Sequence, residues 1–253
     1  MAFWQFFLIG IGAFLAGGVN ALAGGGTLIT FPLLTAMGLP AVVANVTNTV
    51  ALCPGYFGAT FAQWKEIISQ KKRLWLYVPV AVVGGVLGGF LLLRSGERLF
   101  RGLVPYLILL ASILLALGNP LKNWLTKKNI NRQIQPGFII LSMIALLAAA
   151  TYGGYFGAGM SVILLAILGI FVADSLTRLN ALKQILALAT NIAAGIFFVF
   201  SGNVNWPAAL VMAIFALAGG TLGGKLAGKI SAVTLRWVVV GIGLIVSVYY
   251  FVK

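Results

Sequence analysis

The sequence predicts an all-α protein that crosses a membrane several times, and three observations lead to that prediction. Hydrophobic residues make up 61% of the 253 residues, only 8% are charged, and the mean hydropathy is +1.08. Apolar runs recur along the chain, and about 20 residues suffice for one crossing. Glycine-rich interruptions recur at matching places in the two halves. The predicted fold is an all-α polytopic membrane protein with an internal duplication, inverted 5+5 segments and glycine-broken helices in each half.

Ten apolar segments divide the chain. They lie at about 3–23, 27–38, 41–62, 74–93, 102–118, 137–152, 157–171, 175–200, 205–228 and 233–252. The second segment of each half is short, since about twelve helical residues cover about 18 Å of a hydrocarbon core about 30 Å thick. These two segments are expected to be half-helices or re-entrant turns. The division is a first repeat at 1–118, a basic cytoplasmic linker at 119–136 and a second repeat at 137–253.

The two halves match residue by residue at constant offsets. The matches are Gly26, Leu33, Leu34 and Gly38 with Gly157, Leu164, Leu165 and Gly169 at an offset of 131, then Asn45 with Asn180, Arg94 with Lys229 and Arg101 with Arg236 at an offset of 135. The block Gly-Gly-x-Leu-Gly-Gly stands at 84–89 and again at 219–224. Its four-residue glycine spacing leaves one helix face bare, which predicts close helix packing.

Basic residues predict that the repeats are inverted. With five crossings per half, the loops on one side hold 13 Lys and Arg residues, whereas the other side holds Arg94, Arg98, Arg101 and Lys253. Four crossings per half would divide them almost evenly. Cytoplasmic loops carry the excess of Lys and Arg, so both termini are expected outside the cytoplasm. One pair of equivalent loops, 94–101 and 225–236, is basic in both copies and does not follow this pattern.

The first glycine interruption is the sequence Asn20-Ala21-Leu22-Ala23-Gly24-Gly25-Gly26-Thr27. Glycine weakens a helix interior and adopts backbone angles closed to other residues. Membrane transporters build substrate sites from such breaks, where the ends of half-helices point partial charges at a bound ion. We therefore expect Asn20, Gly24, Gly25, Gly26 and Thr27, together with Gly157 in the second half, to bind substrate. The alternative is that the glycines only permit close helix packing.

Amides, hydroxyls and one amine form matching stripes in the third segment of each half. Asn45, Asn48 and Thr49 share one helix face, and Asn180, Lys183 and Gln184 have the same spacing, with Asn191 farther along. Amide and hydroxyl donors beside a positive charge suit an oxyanion. The stripes are expected to meet between the halves and bind it. Alternatively, the amides join helices by hydrogen bonds and Lys183 extends to the membrane surface.

Several function classes are excluded by what the sequence lacks. It has no histidine, one cysteine and three acidic residues, Glu66, Glu97 and Asp174, all in or beside predicted loops. A catalytic dyad or a metal site needs such residues in clusters, so no catalytic residue, metal site or cofactor is expected and the protein is not expected to be an enzyme. The Lys and Arg residues that give the net charge of +14 lie between apolar runs, where they face lipid headgroups rather than nucleic acid.

The segment from Gly24-Gly25-Gly26 through Pro32 to Gly38-Leu39-Pro40 resembles the first-half signature of the sulfite exporter TauE/SafE family. Asn180-Ala181-Leu182-Lys183 resembles its second-half counterpart. The second glycine cluster departs from the pattern, because no proline follows it where Pro32 follows the first. The resemblance covers essentially the whole chain. It implies export of a small sulfur-containing anion, such as sulfite or an organosulfonate, across the bacterial inner membrane.

The expected partners are thus a small anionic substrate and the lipid bilayer. Two other functions fit the sequence. The protein could import or conduct another small solute or a metal, or it could be a membrane-embedded assembly factor with a polar groove open to lipid. Current under an imposed voltage distinguishes an anion from a neutral solute, and the direction in which the amide stripes face distinguishes a transporter from an assembly factor.

Overall fold

Ten helices account for nearly all of the structure that the computed structural model describes, which comprises residues 3–22, 24–61, 63–127, 136–225 and 232–252. They are α1 Phe3–Leu22, α2 Thr27–Ala36, α3 Ala41–Phe61, α4 Trp64–Ile68, α5 Lys71–Lys127, α6 Pro136–Tyr155, α7 Met160–Phe171, α8 Leu176–Val199, α9 Trp206–Lys225 and α10 Ala232–Val252. No strand occurs within those ranges. The all-α prediction is confirmed.

Five of these helices are long and apolar enough to cross a membrane. They are the stretches Phe3–Ala21, Lys71–Gly118, Leu176–Val199, Trp206–Gly223 and Val233–Val252. Large hydrophobic side chains on them are exposed, for example Phe7, Ile214 and Ile245, which is expected of surfaces that face lipid. The chain is a polytopic membrane protein, as predicted. Helices α2 and α7 are short, with 10 and 12 residues.

Helix α5 differs from the prediction, which placed a loop at 94–101. Two helical arms meet within this stretch, and only Gly96 between them leaves the helical conformation, with φ 67° and ψ 175°. This left-handed region favours glycine. Gly96 divides α5 into a first arm, 71–95, and a second arm, 97–127, which correspond to two predicted segments. The short helix α4 was not predicted. Four basic residues used in the topology argument lie outside the described residues: Lys128, Arg132, Lys229 and Lys253.

Glycines bring helices into backbone contact at two crossings. Helix α1 packs on α9, where a Cβ at Gly219 would lie 1.9 Å from the Phe14 carbonyl oxygen. The first arm of α5 packs on α6, where a Cβ at Gly88 would lie 2.1 Å from the Thr151 carbonyl oxygen. Both Gly-Gly-x-Leu-Gly-Gly blocks therefore pack helices closely, as their spacing predicts.

The helix contacts of one half recur in the other half. Helix α3 packs on α9 as α8 packs on the first arm of α5, and α2 packs on α10 as α7 packs on α5. Helices α3 and α8 pack on each other. Exchanging the halves maps this set of contacts onto itself, as a duplicated protein would require. The duplication, its inverted sense and the limits 1–118, 119–136 and 137–253 stay predictions.

Candidate functional site

The first helix break lies between α1 and α2, where the sequence predicts it. Gly24 and Gly25 have positive φ of 77° and 97°, which only glycine adopts readily. The Asn20 side chain fixes Gly26, because its Oδ1 accepts a hydrogen bond of 2.8 Å from the Gly26 amide. A Cβ at Gly26 would lie 2.5 Å from the Ala16 carbonyl oxygen. Helix α2 then begins at Thr27.

The second helix break lies between α6 and α7. Gly157 and Gly159 have positive φ of 81° and 75°, and the Tyr152 hydroxyl donates a 2.7 Å hydrogen bond to the Ala158 carbonyl oxygen. The two breaks meet inside the protein. A Cβ at Gly24 would lie 3.6 Å from Cβ of Ser161, in the first turn of α7. Both breaks also pack on the second arm of α5.

A polar cavity of about 300 Å³ opens where the breaks meet. Its walls come from the end of α1, the start of α7, the N-terminal half of α8, the end of the second arm of α5 and the start of α10. The residues that line it are Asn20, Ala21, Gly24, Gln63, Gly118, Ser161, Val162, Leu165, Thr177, Asn180, Lys183, Gln184 and Arg236. Five predicted site residues are among them: Asn20, Gly24, Asn180, Lys183 and Gln184.

Helix α8 presents the second-half stripe to this cavity. Ser175 caps the helix, accepting a hydrogen bond from the Arg178 amide, so the first turn begins at the cavity mouth. Lys183 Nζ donates a 2.8 Å hydrogen bond to Asn180 Oδ1, and Asn180 Nδ2 donates a 3.0 Å bond to Gln63 Oε1. This chain of bonds orients the Asn180 amide and holds the lysine ammonium against the cavity wall.

Arg236 is a cavity residue that the sequence prediction missed. It lies in the second turn of α10, and Gly118 packs beside its guanidinium, because a Cβ there would lie 2.9 Å from Nη1. Sequence reasoning placed Arg236 in a basic loop. Its match with Arg101 at an offset of 135 was the signal that it belongs to the repeat. Gln63 and Thr177 were also missed; they are single polar residues near segment ends.

The described cavity lining carries two cationic side chains, Lys183 and Arg236, and no acidic one. The nearby carboxylate of Asp174 pairs with Arg73 and, at 3.3 Å, with Arg178. Helices α7 and α8 also begin at the cavity, and helix N-termini carry partial positive charge. The cavity is therefore electropositive, which favours an anionic ligand.

The first-half stripe lies elsewhere, in packed contacts between α2, α3 and α6. Asn48 accepts a 2.5 Å hydrogen bond from Thr30 and donates a 3.4 Å bond to Thr27. Asn45 donates a 2.8 Å bond to the Tyr155 carbonyl oxygen, and Thr49 donates to the Asn45 carbonyl oxygen within its own helix. The structure therefore does not bring both stripes into one cavity.

The other predicted residues also lie outside the cavity lining. Asn191 is buried in α8, where its amide donates a 2.8 Å hydrogen bond to the Ala187 carbonyl oxygen. Gly25 packs against Leu115, Gly26 against Ala16 and Asn20, and Gly157 near the Gly153 carbonyl oxygen. These positions shape the two breaks from behind rather than facing the open space.

An aromatic cluster occupies the place in the first half that matches the cavity. Phe31 meets Phe100 and Phe156 edge-on, with ring centroids 6.2 and 5.4 Å apart, and Phe100 meets Tyr155 at 5.6 Å. At the repeat offsets the four aromatics match smaller residues. Their counterparts are Val162, Leu235, Gly24 and Gly25. Two of these counterparts, Val162 and Gly24, line the cavity, so larger side chains stand at the two matching positions on the other side.

The helices, the breaks and the electropositive cavity are those of a membrane transporter. Residues 9–250 match the sulfite exporter TauE/SafE family, and the chain belongs to this family.

Three relatives are similar over most of their length. A "Probable membrane transporter protein" of Haemophilus influenzae is 24% identical over 84% of this chain and 81% of its own. The "Probable membrane transporter protein YfcA" of Escherichia coli K12 is 25% identical over 85% and 77%. The "Probable membrane transporter protein ORF9" of Sinorhizobium is 25% identical over 90% and 85%. No solved structure matches the chain.

Proposed function

We propose that the protein exports a small sulfur-containing or organic oxyanion, of the sulfite or sulfonate class, across the bacterial inner membrane. The observation that carries this proposal is the cavity at the helix breaks, whose described lining has Lys183 and Arg236 and no carboxylate. The family description names a sulfite exporter, which agrees with the sign of this charge. A metal is a poorer substrate, because the described residues contain no group of three His, Cys, Asp or Glu.

In this proposal the oxyanion lies between Lys183 and Arg236. The Asn180 amide and the Ser161 hydroxyl supply hydrogen bonds, and hydrogen bonds to charged groups are roughly twice as strong as neutral ones. Gln63 holds the Asn180 amide in place. A volume of about 300 Å³ is at the lower end for a small-molecule site, which suits a compact anion with some of its water.

In this proposal the structure corresponds to one of the two states that alternating access requires. Gln63 and Asn180 line the cavity and are joined by a hydrogen bond, and both belong to loops predicted to be cytoplasmic. On the other side the aromatic cluster includes Tyr155, whose carbonyl oxygen accepts a hydrogen bond from Asn45. Rocking of one half against the other would open that side and expose Asn45, Asn48 and Thr49, while closing the cavity at Asn180, Lys183 and Gln184.

The membrane potential would drive export. An inside-negative potential favours outward movement of an anion by about 2.3 kcal/mol per charge per 100 mV. A uniporter therefore needs no proton relay. The three acidic residues of the chain are Glu66, Glu97 and Asp174, which lie in α4, at the turn of α5 and beside α8, so none lies in the described cavity lining.

Flux measurements in proteoliposomes test this proposal. Vesicles loaded with sulfite or methanesulfonate are given a potassium diffusion potential, negative inside, and efflux is followed together with current. We expect efflux that rises with the potential in the wild type and falls at least about tenfold in Lys183→Gln and in Arg236→Gln, since a hydrogen bond to a charged group contributes about 1.5–3 kcal/mol.

Lys65→Gln is the matched control, because this lysine lies on α4 and is exposed. Its efflux should equal that of the wild type. Equal flux in Lys183→Gln, Arg236→Gln and wild type would refute the site. Flux of a neutral solute without current would favour the importer or channel instead, and a folded protein that moves no solute would favour an assembly factor.

A further inference from the structure

A second opening lies on the face opposite the cavity. It is a groove of about 1030 Å³ between the α2–α3 connection, the first turns of the second arm of α5 and the last turns of α10. Arg98, Arg101, Tyr249 and Tyr250 line it together with apolar side chains that include Leu39 and Ile245. Its volume is more than three times that of the cavity. The proposed transport of an oxyanion does not account for a groove of this size.

The charge of the groove is positive. Arg98 and Arg101 are exposed and lie three residues apart, so they project from the same side of the helix. Glu97 also lines the groove, but its two carboxylate oxygens accept hydrogen bonds of 2.5 and 2.8 Å from the Ala41 and Val42 amides. Its negative charge is thus directed to the N-terminus of α3, where it is favourable.

The groove lies at the edge of the membrane. Arg101 directly precedes the apolar stretch 102–118. Tyr249 and Tyr250 lie in the last turn of α10, two residues and one residue before Phe251. Arginine and tyrosine at helix ends characterise the headgroup level. One wall is apolar and open to the side, since Ile245 is 72% exposed and Tyr249 57%. The groove therefore joins a cationic pocket to a surface that faces acyl chains.

We propose that this groove binds an anionic phospholipid. The phosphate lies between Arg98 and Arg101, the tyrosine hydroxyls lie near the glycerol and headgroup, and the first part of an acyl chain lies along Ile245. An oxyanion without an acyl chain would leave the apolar wall uncovered. A zwitterionic lipid would bring a second, positive group next to the arginines.

Native mass spectrometry of the intact protein in detergent tests the proposal, with phosphatidylglycerol and phosphatidylcholine as probes. We expect phosphatidylglycerol to bind in preference to phosphatidylcholine. In the double variant Arg98→Gln/Arg101→Gln, affinity for phosphatidylglycerol should fall roughly 25-fold, because each basic residue at a membrane surface contributes about 1 kcal/mol. The matched control is Arg94→Gln, which removes an exposed arginine on the first arm of α5, over the Phe90 ring, and should bind lipid as the wild type does.

Three results would overturn the proposal. The first is equal binding of phosphatidylglycerol and phosphatidylcholine by the wild type, and the second is equal affinity of the wild type and the double variant for phosphatidylglycerol. The third is full displacement of the lipid by glycerophosphoglycerol, the same headgroup without acyl chains, at equal concentration, which assigns the groove to a soluble phosphate ester. The wild-type comparison needs no variant, so a double variant that failed to fold would leave the test decisive. Lipid binding is read out without transport, so its failure and that of the export proposal are separate results.

Discussion

The two ends of the helix pair α3 and α8 are built from matching parts but differ in what surrounds them. At the start of α8, Asn180, Lys183 and Gln184 line an electropositive cavity. At the start of α3, the matching Asn45, Asn48 and Thr49 are buried in contacts with neighbouring helices. The same predicted repeat thus forms an open side and a closed side within one molecule.

Side-chain volume differs between the two sides. Phe31, Phe100 and Phe156 form the aromatic cluster, whereas the matching positions hold the smaller Val162, Leu235 and Gly25, of which Val162 lines the cavity. Aromatic rings provide large contact areas and specific edge-on packing. The comparison teaches that the two sides differ through their side chains rather than through the arrangement of their helices.

The largest effect is expected when both charges are removed from the open side. In Lys183→Gln/Arg236→Gln the affinity for sulfite should fall at least about 100-fold, because two charge-assisted hydrogen bonds of about 1.5–3 kcal/mol each are lost. Calorimetric titration measures this. The matching pair on the closed side, Asn45→Ala/Asn48→Ala, should keep its affinity within about threefold while thermal stability falls, since two buried amide contacts are lost. Equal losses of affinity in both pairs would contradict the comparison.

The next largest effect is expected from a substitution that opens the closed side. Asn45 is fully buried, so in the background Cys53→Ala/Asn45→Cys a maleimide should react slowly. Adding Phe100→Ala should accelerate the reaction at least about tenfold, because truncating a buried phenylalanine removes about 3–5 kcal/mol of packing and 1.4 kcal/mol already gives tenfold. Adding Phe90→Ala, which truncates an exposed ring, is the control. An unchanged rate with Phe100→Ala would show that the aromatic cluster does not close this side.

A smaller effect moves one charge without removing it. A Cβ at Gly118 would lie 2.9 Å from Arg236 Nη1, so Gly118→Ala should displace the guanidinium and weaken sulfite binding about fivefold, a part of one charged hydrogen bond. Gly102→Ala, on the same arm of α5, adds a methyl where nothing lies within 4 Å and should bind sulfite like the wild type. Wild-type affinity in Gly118→Ala would remove Arg236 from the binding site.

The smallest effect concerns Glu97, which accepts the Ala41 and Val42 amides on the closed side. Glu97→Gln keeps an acceptor but loses the charge at the N-terminus of α3, which contributes about 0.3–1 kcal/mol. The maleimide reaction at Asn45→Cys should then become about two- to fivefold faster. Glu66→Gln, in the first turn of α4, is the control for loss of a carboxylate and should leave the rate unchanged.

The sequence carried enough information for the helices and the breaks. Apolar periodicity located the segments, and the positive φ of Gly24, Gly25 and Gly157 agrees with the breaks that the glycine clusters predict. The predicted loop at 94–101 is reduced in the structure to a break at Gly96, because basic residues were taken to interrupt a helix. Arg98 and Arg101 instead continue α5, and a single glycine makes the turn.

The composition of the cavity was only partly predictable. The α8 stripe was recognised because its polar residues interrupt an apolar segment at helical spacing. Gln63 and Arg236 come from segment ends that are distant in sequence, and only tertiary packing brings them to the cavity that Asn180 also lines. The burial of Asn48 in contacts with Thr27 and Thr30 depends on tertiary packing, which a repeat pattern common to both halves does not decide.

The backbone contacts at Gly88 and Gly219 distinguish two rigid helix pairs from the rest of the molecule. Helix α1 contacts α9, and α6 contacts the first arm of α5, without side chains between them. Even a small slide of one helix along its neighbour would therefore push carbonyl oxygens into the neighbouring helix. These helix pairs would move as rigid units, and their backbone amides would exchange deuterium last. The amides of the short helices α2 and α7, which are attached at the glycine breaks, would exchange first, and these helices would supply the motion.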